Sequence, residues 1–289
     1  MQLGKILEKV KHKLEWLAGS RRIEIVAKEK NQYGLNETQR TGPKIIVSLT
    51  TYDKRIGSVH MVVKSLLRQS MKPDFVLLCL GVDVALEQIP QQLKELEQYG
   101  LQIITGCEDI KPHKKYYFAM KHYPDDIVIT VDDDIVYDKN LIRDLMNTYQ
   151  RHPNAVICRR ANVITRGVDG KLLSYEQWPN YQESGEAERF DLLPTGAGGV
   201  LYPPHILDEE VFDIESIKKY CLNVDDIWLR YMGAKKNSPV VFCKPRNRYL
   251  AVLPETQSSG LYLSNVGECI NDKCLRIMEE QYSWSIDCK

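Results

Sequence analysis

The sequence predicts an α/β fold in which helices flank a central, mostly parallel sheet. Short runs of β-branched residues alternate along the chain with segments of helical periodicity, which is typical of strand–helix–strand units. Residues 125–137 have the continuous apolar character of a strand that is buried on both faces. With 289 residues and 43% apolar content, the chain is long enough to build a sizeable core.

The α/β core begins at Ile45. Residues 45–51 form the first predicted strand, and Ser58 precedes a helix whose apolar face repeats at helical spacing. A second strand is predicted over 75–80, a helix over 87–99 that Gly100 stops, and a third strand over 101–105. A helix leading to His122 and the strand within 125–137 follow, so the order predicts a right-handed doubly wound unit.

Three consecutive carboxylates, Asp132, Asp133 and Asp134, end the apolar run of residues 127–131. In open α/β sheets ligands bind beyond the carboxyl ends of the strands. Because side chains alternate along a strand, Asp132 and Asp134 are predicted to point one way and Asp133 the other. Such a pair suits Mg²⁺ or Mn²⁺, whose other ligands are water and phosphate oxygens. The alternative is a solvated acidic turn, but three crowded like charges favour a bound cation.

The chain divides into three predicted parts. Residues 1–43 comprise a basic amphipathic helix and a linker, residues 44–255 the α/β domain, and residues 256–289 a flexible segment with a closing helix. Residues 1–22 carry six basic residues against two acidic ones, so this helix either lies on an anionic membrane surface or packs against protein.

Composition excludes several classes of protein. Thirty-nine basic residues balance thirty-nine acidic ones, so nothing indicates a nucleic-acid partner. No apolar run reaches membrane-spanning length and no signal-peptide core is present, so a soluble, cytoplasmic protein is expected. The eight cysteines show no C-x-x-C pair and are expected to be reduced, mostly buried thiols. No G-x-G-x-x-G follows the first strand and no P-loop occurs.

Two further motifs follow the acids. Residues 193–200 contain Gly196-Ala197-Gly198-Gly199, and residues 224–229 contain Asp225-Asp226, with Gly233 after them. Together with the acids, residues 45–233 resemble a GT-A fold glycosyltransferase, nearest to family 2-like and fringe-like enzymes. The resemblance implies the GT-A nucleotide-diphospho-sugar transferase fold and a role in synthesising a bacterial surface polysaccharide such as capsule or lipopolysaccharide.

The resemblance implies a metal-dependent transfer of a sugar from a nucleotide-diphosphate sugar, with a UDP-sugar favoured. The acceptor is a hydroxyl of a saccharide or of a lipid-linked saccharide. Asp134, with Asp132 second, is expected to hold Mn²⁺ or Mg²⁺. If the transfer inverts the configuration at the anomeric carbon, Asp226 is the expected catalytic base and Asp225 is the second candidate. Asp225 alone is equally explained as a helix N-cap.

Other residues are candidates for binding the donor or the acceptor. The segment Gly196, Ala197, Gly198 and Gly199 has little or no side chain, which allows a sugar to approach its backbone closely. The alternative is that this segment is only a tight bend. Trp178 stacks on a sugar or anchors its loop to the core. Residues 255–271 are expected to fold over bound nucleotide. The candidates for the nucleotide are Thr50, Thr51, Tyr52, Arg55, Lys115, Asp132, Asp133, Arg246 and Arg248, each cation being equally explained as a surface charge.

Two other functions fit parts of the pattern. A sugar-phosphate nucleotidyltransferase shares the α/β half but needs a glycine-rich phosphate loop after the first strand, where no glycine precedes Gly57. A non-catalytic carbohydrate-binding protein needs no aligned carboxylates at a strand end. Metal-dependent binding of UDP distinguishes the transferase from this last class.

Overall fold

The computed structural model describes residues 17–28, 33–183, 185–245, 249–259, 269–282 and 285–287. Its strands are β1 (Ile45–Thr51), β2 (Phe75–Gly81), β3 (Leu101–Cys107), β4 (Ile127–Thr130), β5 (Ile135–Val136), β6 (Val156–Cys158), β7 (Ala161–Val163), β8 (Glu188–Arg189), β9 (Leu192–Pro194), β10 (Val200–Tyr202), β11 (Val240–Phe242) and β12 (Ala251–Val252). Its helices are α1 (17–28), α2 (Val59–Leu67), α3 (Gln91–Lys94), α4 (Lys114–His122), α5 (Leu141–Arg151), α6 (Ile214–Ser216), α7 (Asp225–Lys235) and α8 (Ile270–Gln281).

Within the described residues, eight strands form one sheet in the order β3-β2-β1-β4-β10-β6-β11-β8. The first four are mutually parallel, β10 runs antiparallel to both β4 and β6, and β11 is parallel to β6. The predicted α/β class with a mostly parallel sheet is confirmed. Because β10 is reversed, its first residue Val200 pairs with Thr130, the last residue of β4. The glycine segment before β10 therefore lies beside the acids that follow β4.

Helices cover both faces of the parallel half. Val47 and Leu49 of β1 belong to the same core cluster as Val62 and Leu66 of α2. Ile46, which precedes Val47 in the strand, packs in another cluster with Ala119 of α4. Successive residues of β1 thus face opposite helix layers, which explains why its first three residues, 45–47, are all apolar and buried.

Two predicted elements are interrupted in the structure. The predicted helix over 87–99 is only α3, with 3-10 turns at Leu86–Gln88 and Glu97–Tyr99. Pro90 lies between the first turn and α3, and a proline lacks the N–H that a helix interior needs. The predicted strand within 125–137 is β4 and β5 separated by a turn at Asp133 and Asp134, and β5 pairs with β12 outside the main sheet.

The described part of the amino-terminal region packs on the α/β domain. Val26 of α1 is buried in the main core cluster. The polar segment before β1 is fixed by Asp74, whose carboxylate accepts hydrogen bonds from Asn36 Nδ2 at 2.7 Å and the backbone N–H of Ile45 at 2.7 Å. Residues 1–16, on which the membrane alternative depends, lie outside the described residues. Among those described, no helix is both long and apolar enough to span a bilayer.

The expectation of reduced cysteines is wrong for one pair. Cys221 and Cys274 form a disulfide, with their Cα atoms 5.5 Å apart. Cys221 ends the turn before α7 and Cys274 lies on α8, so the bond joins the closing helix to the domain. The 53-residue separation hid this proximity from the sequence. Cys79, Cys107, Cys158 and Cys243 are free and buried, as expected.

Candidate active site

The three carboxylates occupy the turn after β4 and border one cavity of about 680 Å³. Arg55 Nη1 donates to Asp133 Oδ1 at 2.7 Å and to Asp134 Oδ2 at 3.2 Å. Thr51 Oγ1 donates to the other oxygen of Asp133 at 2.5 Å. One guanidinium thus contacts two successive acids, while Asp133 is buried and Asp132 and Asp134 remain partly exposed on the cavity.

Asp133 is the structural member of the triplet. Its side chain is buried, and both of its oxygens accept hydrogen bonds, from Thr51 and Arg55. Burial raises the pKa of Asp133 although Arg55 and Thr51 oppose that rise. Arg55 also donates to the carbonyl of Thr256 at 3.2 Å, so it connects the loop after β1, the acidic turn and the carboxyl-terminal part of the domain.

Lys115 links the two acidic motifs. This first-turn residue of α4 is buried, and its Nζ lies 2.8 Å from Asp132 Oδ1 and 2.9 Å from Asp225 Oδ2. Burial lowers the pKa of Lys115, but the two carboxylates outweigh that effect and hold the pKa well above its usual range. The ammonium therefore stays charged and fixes the distance between the acidic turn and the start of α7.

Asp225 and Asp226 open helix α7, with Val224 as its N-cap. The N-cap explanation of Asp225 is therefore wrong, since its carboxylate pairs with Lys115 instead. Asp226 accepts a hydrogen bond from the Gly196 N–H, at 3.2 Å to Oδ1 and 3.3 Å to Oδ2. Burial and the neighbouring Asp225 raise the pKa of Asp226 to about 8 against the opposing charge of Lys115.

The glycine segment fits this site because it has no side chains at two positions. A Cβ at Gly196 would stand 2.6 Å from Asp132 Oδ1 and 2.8 Å from Lys115 Nζ. A Cβ at Gly198 would stand 2.7 Å from the backbone nitrogen of Arg160. Gly199 has φ near +80° and contacts Leu141. The predicted bend before β10 is present, and it brings Gly196 between the acids and Asp226.

Gly196→Ala is expected to lower transfer activity by about a hundredfold, because the new methyl group displaces the Asp132–Lys115 pair by about 1 Å. Steady-state kinetics and the melting temperature, measured together, check this. Gly42→Ala is the matched control, since no atom lies within 4 Å of a Cβ built there. Unchanged kinetics in Gly196→Ala would show that the close packing has no catalytic consequence.

Most of the residues singled out in the sequence meet in this cavity. Those that line it are Thr50, Thr51, Tyr52, Arg55, Lys115, Asp132, Asp133, Asp134, Ala197, Asp225 and Asp226. Trp178 does not: it is 3% exposed, packs in the core and donates from Nε1 to the Leu173 carbonyl at 3.0 Å. This placement favours the alternative in which Trp178 anchors its loop. Arg246, Arg248 and residues 260–268 lie outside the described residues.

Several lining residues were not anticipated. Asp83 follows β2 and Arg160 follows β6, so both sit at the same strand ends as the acids and could have been found by that reasoning. Asn223 and Asn271 come from the turn before α7 and the start of α8. Nothing in their local sequence distinguishes them, since their position depends on how the last helix packs.

The donor set fits a hard divalent cation. Asp132 and Asp134 each give one oxygen to a protein cation, yet their side chains remain 32% and 22% exposed on the cavity. Burial and the adjacent acids raise the pKa of Asp134 to about 6, which reflects the local excess of negative charge. Among the described residues no group of three or more His, Cys, Asp or Glu side chains forms a protein-only metal site. One or two carboxylates completed by phosphate oxygens are typical of Mg²⁺ sites.

The fold is shared with a solved mannosyltransferase. The mannosyltransferase PcManGT from Pyrobaculum calidifontis, in complex with GDP-Man and Mn²⁺, matches with a TM-score of 0.52 at 10% identity, over 98% of this chain and 76% of its own. S. aureus TarS matches with a TM-score of 0.47 at 17% identity, over 70% and 58%. GalNAc-T7 with UDP, GalNAc and Mn²⁺ matches with a TM-score of 0.46 at 11% identity, over 83% and 48%. The first of these establishes the GT-A fold.

The sequence itself defines the family more narrowly. Residues 47–201, more than half of the chain, match the model of glycosyl transferase family 2. This chain belongs to that family. No curated protein sequence matches it significantly.

Proposed function

We propose that this protein transfers a sugar from a nucleotide-diphosphate sugar to an acceptor hydroxyl with inversion, using a divalent cation. The observation that carries the proposal is the arrangement around Lys115, which joins Asp132 at 2.8 Å and Asp225 at 2.9 Å within a single cavity. An acidic cation site thus lies on one side of a single ammonium group, and Asp225, the neighbour of the proposed base Asp226, lies on the other. Such an arrangement is needed when a leaving group departs on one side of a sugar and a nucleophile enters on the other.

The donor end of the cavity is formed by Asp132, Asp134 and the loop after β1. Asp134, with Asp132, would hold Mn²⁺ or Mg²⁺, which when bound neutralises the charge that develops on the departing diphosphate. Thr50 and Tyr52 line the cavity at the end of β1 and are proposed to contact the nucleotide. Lys115 and Arg55 keep the acids in place before the donor arrives, which reduces reorganisation during the reaction.

The acceptor end is formed by Asp226 and Gly196. Asp226 takes the proton of the acceptor hydroxyl while that oxygen bonds to the anomeric carbon and the bond from this carbon to the diphosphate oxygen breaks. The Gly196 N–H holds the carboxylate, and Asp225 is occupied by Lys115, so Asp226 is the better placed of the two acids.

The pH profile is expected to follow Asp226. Because burial and Asp225 raise its pKa to about 8, much of the carboxyl is protonated at pH 7 and only its deprotonated form can act as base. We expect kcat/KM to rise with pH through about 8 and then level off. Measurement of kcat/KM between pH 6 and 9.5 with constant metal checks this, and a profile that falls across this range would contradict the assignment.

The proposal is tested by a panel of nucleotide-sugars, scored by slow donor hydrolysis with and without Mn²⁺. Calorimetric titration of UDP with and without Mn²⁺ measures nucleotide binding. The same titration with GDP compares a different nucleobase on the same diphosphate. Metal-dependent binding with hydrolysis of one donor supports a transferase. Binding that ignores the metal, with no hydrolysis, supports the carbohydrate-binding alternative instead. The preference for UDP, a bacterial surface saccharide as acceptor, and a peripheral contact of residues 1–22 with a membrane remain predictions.

A further inference from the structure

A second cavity, of about 150 Å³, lies beside the first on the acceptor side. Ile135, Arg160, Ala197 and Leu250 line both cavities. Ala197 directly follows Gly196, whose N–H bonds Asp226, and consecutive Cα atoms are only about 3.8 Å apart. A molecule with a hydroxyl at Asp226 is therefore within reach of the smaller cavity.

Among the described residues, three guanidinium groups border the smaller cavity. Arg159 follows β6 and is 5% exposed; its Nη2 donates to Asp138 Oδ2 at 2.6 Å, while its Nε has no hydrogen-bond partner among the described residues. Arg160 Nη1 donates to Thr195 Oγ1 at 3.0 Å. Arg22 comes from α1, and its Nη1 donates to the Val136 carbonyl at 3.2 Å.

The carboxylates nearby do not balance these charges within the cavity. Asp138 lines it, whereas Asp144 approaches Arg159 only to 4.0 Å and is not part of the lining. Burial, together with the charge of Arg159, lowers the pKa of Arg22 despite the opposing effect of Asp138. Among the lining residues that the structure describes, three partly enclosed cations stand against one carboxylate. This leaves a positive excess that an anion would relieve, because like charges repel strongly where water is scarce.

The remaining wall suits a sugar ring. Tyr181, Tyr249 and Phe242 line the cavity, and Tyr181 and Phe242 meet edge to face at 5.3 Å. Aromatic faces pack against the C–H surfaces of sugars, while guanidinium forks bind carboxylate or phosphate oxygens in pairs. The combination is better matched to a charged saccharide than to a neutral one.

We propose that the smaller cavity is an acceptor subsite for an anionic group, a phosphate or a carboxylate carried by the saccharide whose hydroxyl attacks at Asp226. Arg159 and Arg22 bind the anion, and Arg160 stands between it and the donor cavity. This inference rests on the proposed function and narrows it to an anionic acceptor class.

A direct test uses tungstate, an electron-dense tetrahedral anion, soaked into crystals of the protein. The expected result is an anomalous peak in contact with Arg159 and Arg22. Tungstate confined to the donor cavity, or absent from both, overturns the inference. This readout does not require any activity.

The kinetic test compares a neutral hexoside acceptor with its phosphate monoester and with the corresponding uronic acid. We expect one charged acceptor to have a KM about tenfold below that of the neutral one, and Arg22→Gln and Arg159→Gln to remove that advantage while donor hydrolysis persists. The preferred charged acceptor identifies the anion as phosphate or carboxylate. Two variants are compared because Arg159→Gln leaves Asp138 without its buried ion-pair partner, which can destabilise the fold. Arg22→Gln leaves that ion pair in place and therefore tests the subsite independently.

Arg151→Gln is the control, since Arg151 ends α5 at the opposite edge of the sheet and its side chain is 55% exposed. Arg151→Gln should change neither the KM for the charged acceptor nor the KM for the neutral acceptor. Equal use of charged and neutral acceptors by the wild type, with hydrolysis intact, overturns the anionic subsite and leaves the proposed function standing. Absence of any donor binding or hydrolysis overturns the proposed function, and the tungstate soak then decides the anion site alone.

Discussion

Asp226→Asn is expected to lower kcat by about a thousandfold while UDP and Mn²⁺ still bind with wild-type affinity. General-base catalysis contributes about 10²- to 10⁴-fold. Asparagine keeps the size of the side chain, and its amide oxygen can still accept from the Gly196 N–H that Asp226 contacts at 3.2 Å. The substitution therefore removes the proton acceptor with little change of shape.

The comparison with Asp225→Asn separates the two acids. Asp225 pairs with Lys115 at 2.9 Å, so its amide variant should disturb Asp132 and weaken donor binding as well as turnover. Asp169→Asn, on an exposed loop, controls for loss of one negative charge. Should Asp226→Asn turn over within threefold of wild type, the base would have to be reassigned, and Asp225 would be examined next.

Asp134→Ala is expected to remove the metal dependence of donor binding. The affinity for UDP in Mn²⁺ should fall by more than about a hundredfold, to the level measured without metal, because loss of a direct ligand costs at least as much as loss of a supporting hydrogen bond. Arg55 keeps its 2.7 Å contact with Asp133, so the turn retains its main support and the fold should persist. Titration calorimetry in Mn²⁺ and in chelator measures both states.

Asp125→Ala is the matched control for Asp134→Ala. Asp125 precedes the same strand, β4, at its other end and is 88% exposed beside His205. It should bind UDP and Mn²⁺ as the wild type does. An Asp134→Ala variant with normal metal-dependent affinity would remove Asp134 from the cation site and leave Asp132 as the candidate.

Local sequence patterns were sufficient for the parallel half of the sheet. Strand β1 has the predicted bounds, Ile45 and Thr51. Its residues 45–47 and Leu49 are apolar and lie in the core clusters on the two sides of the sheet. The prediction of one helix over 87–99 was wrong because it gave more weight to apolar spacing than to Pro90, whose missing N–H divides the segment. Periodicity identifies an apolar face, but a single backbone constraint can still interrupt the helix that carries it.

The motifs of the candidate site were identified from the sequence, but the contacts that join them were not. Asp132 and Asp226 were recognisable as acids beside strand or helix ends, but the bond from Gly196 to Asp226 depends on the reversed direction of β10. The role of Lys115 as a bridge between two carboxylates 93 positions apart likewise has no local signature. Tertiary packing decides such contacts, so local patterns in a single sequence do not predict them.

The order of strands has a practical consequence. β3, β2, β1 and β4 all come from residues 45–130, whereas β10, β6, β11 and β8 come from residues 156–242, and the two sets meet where β10 pairs with β4. A separate pairing of β12 with β5 also joins the two parts of the chain. The exposed turn at 152–154 separates them along the chain. A polypeptide cleaved there should reassemble from its two fragments, and restored sugar transfer would then report fragment complementation, because the acids arrive on one piece and Asp226 on the other.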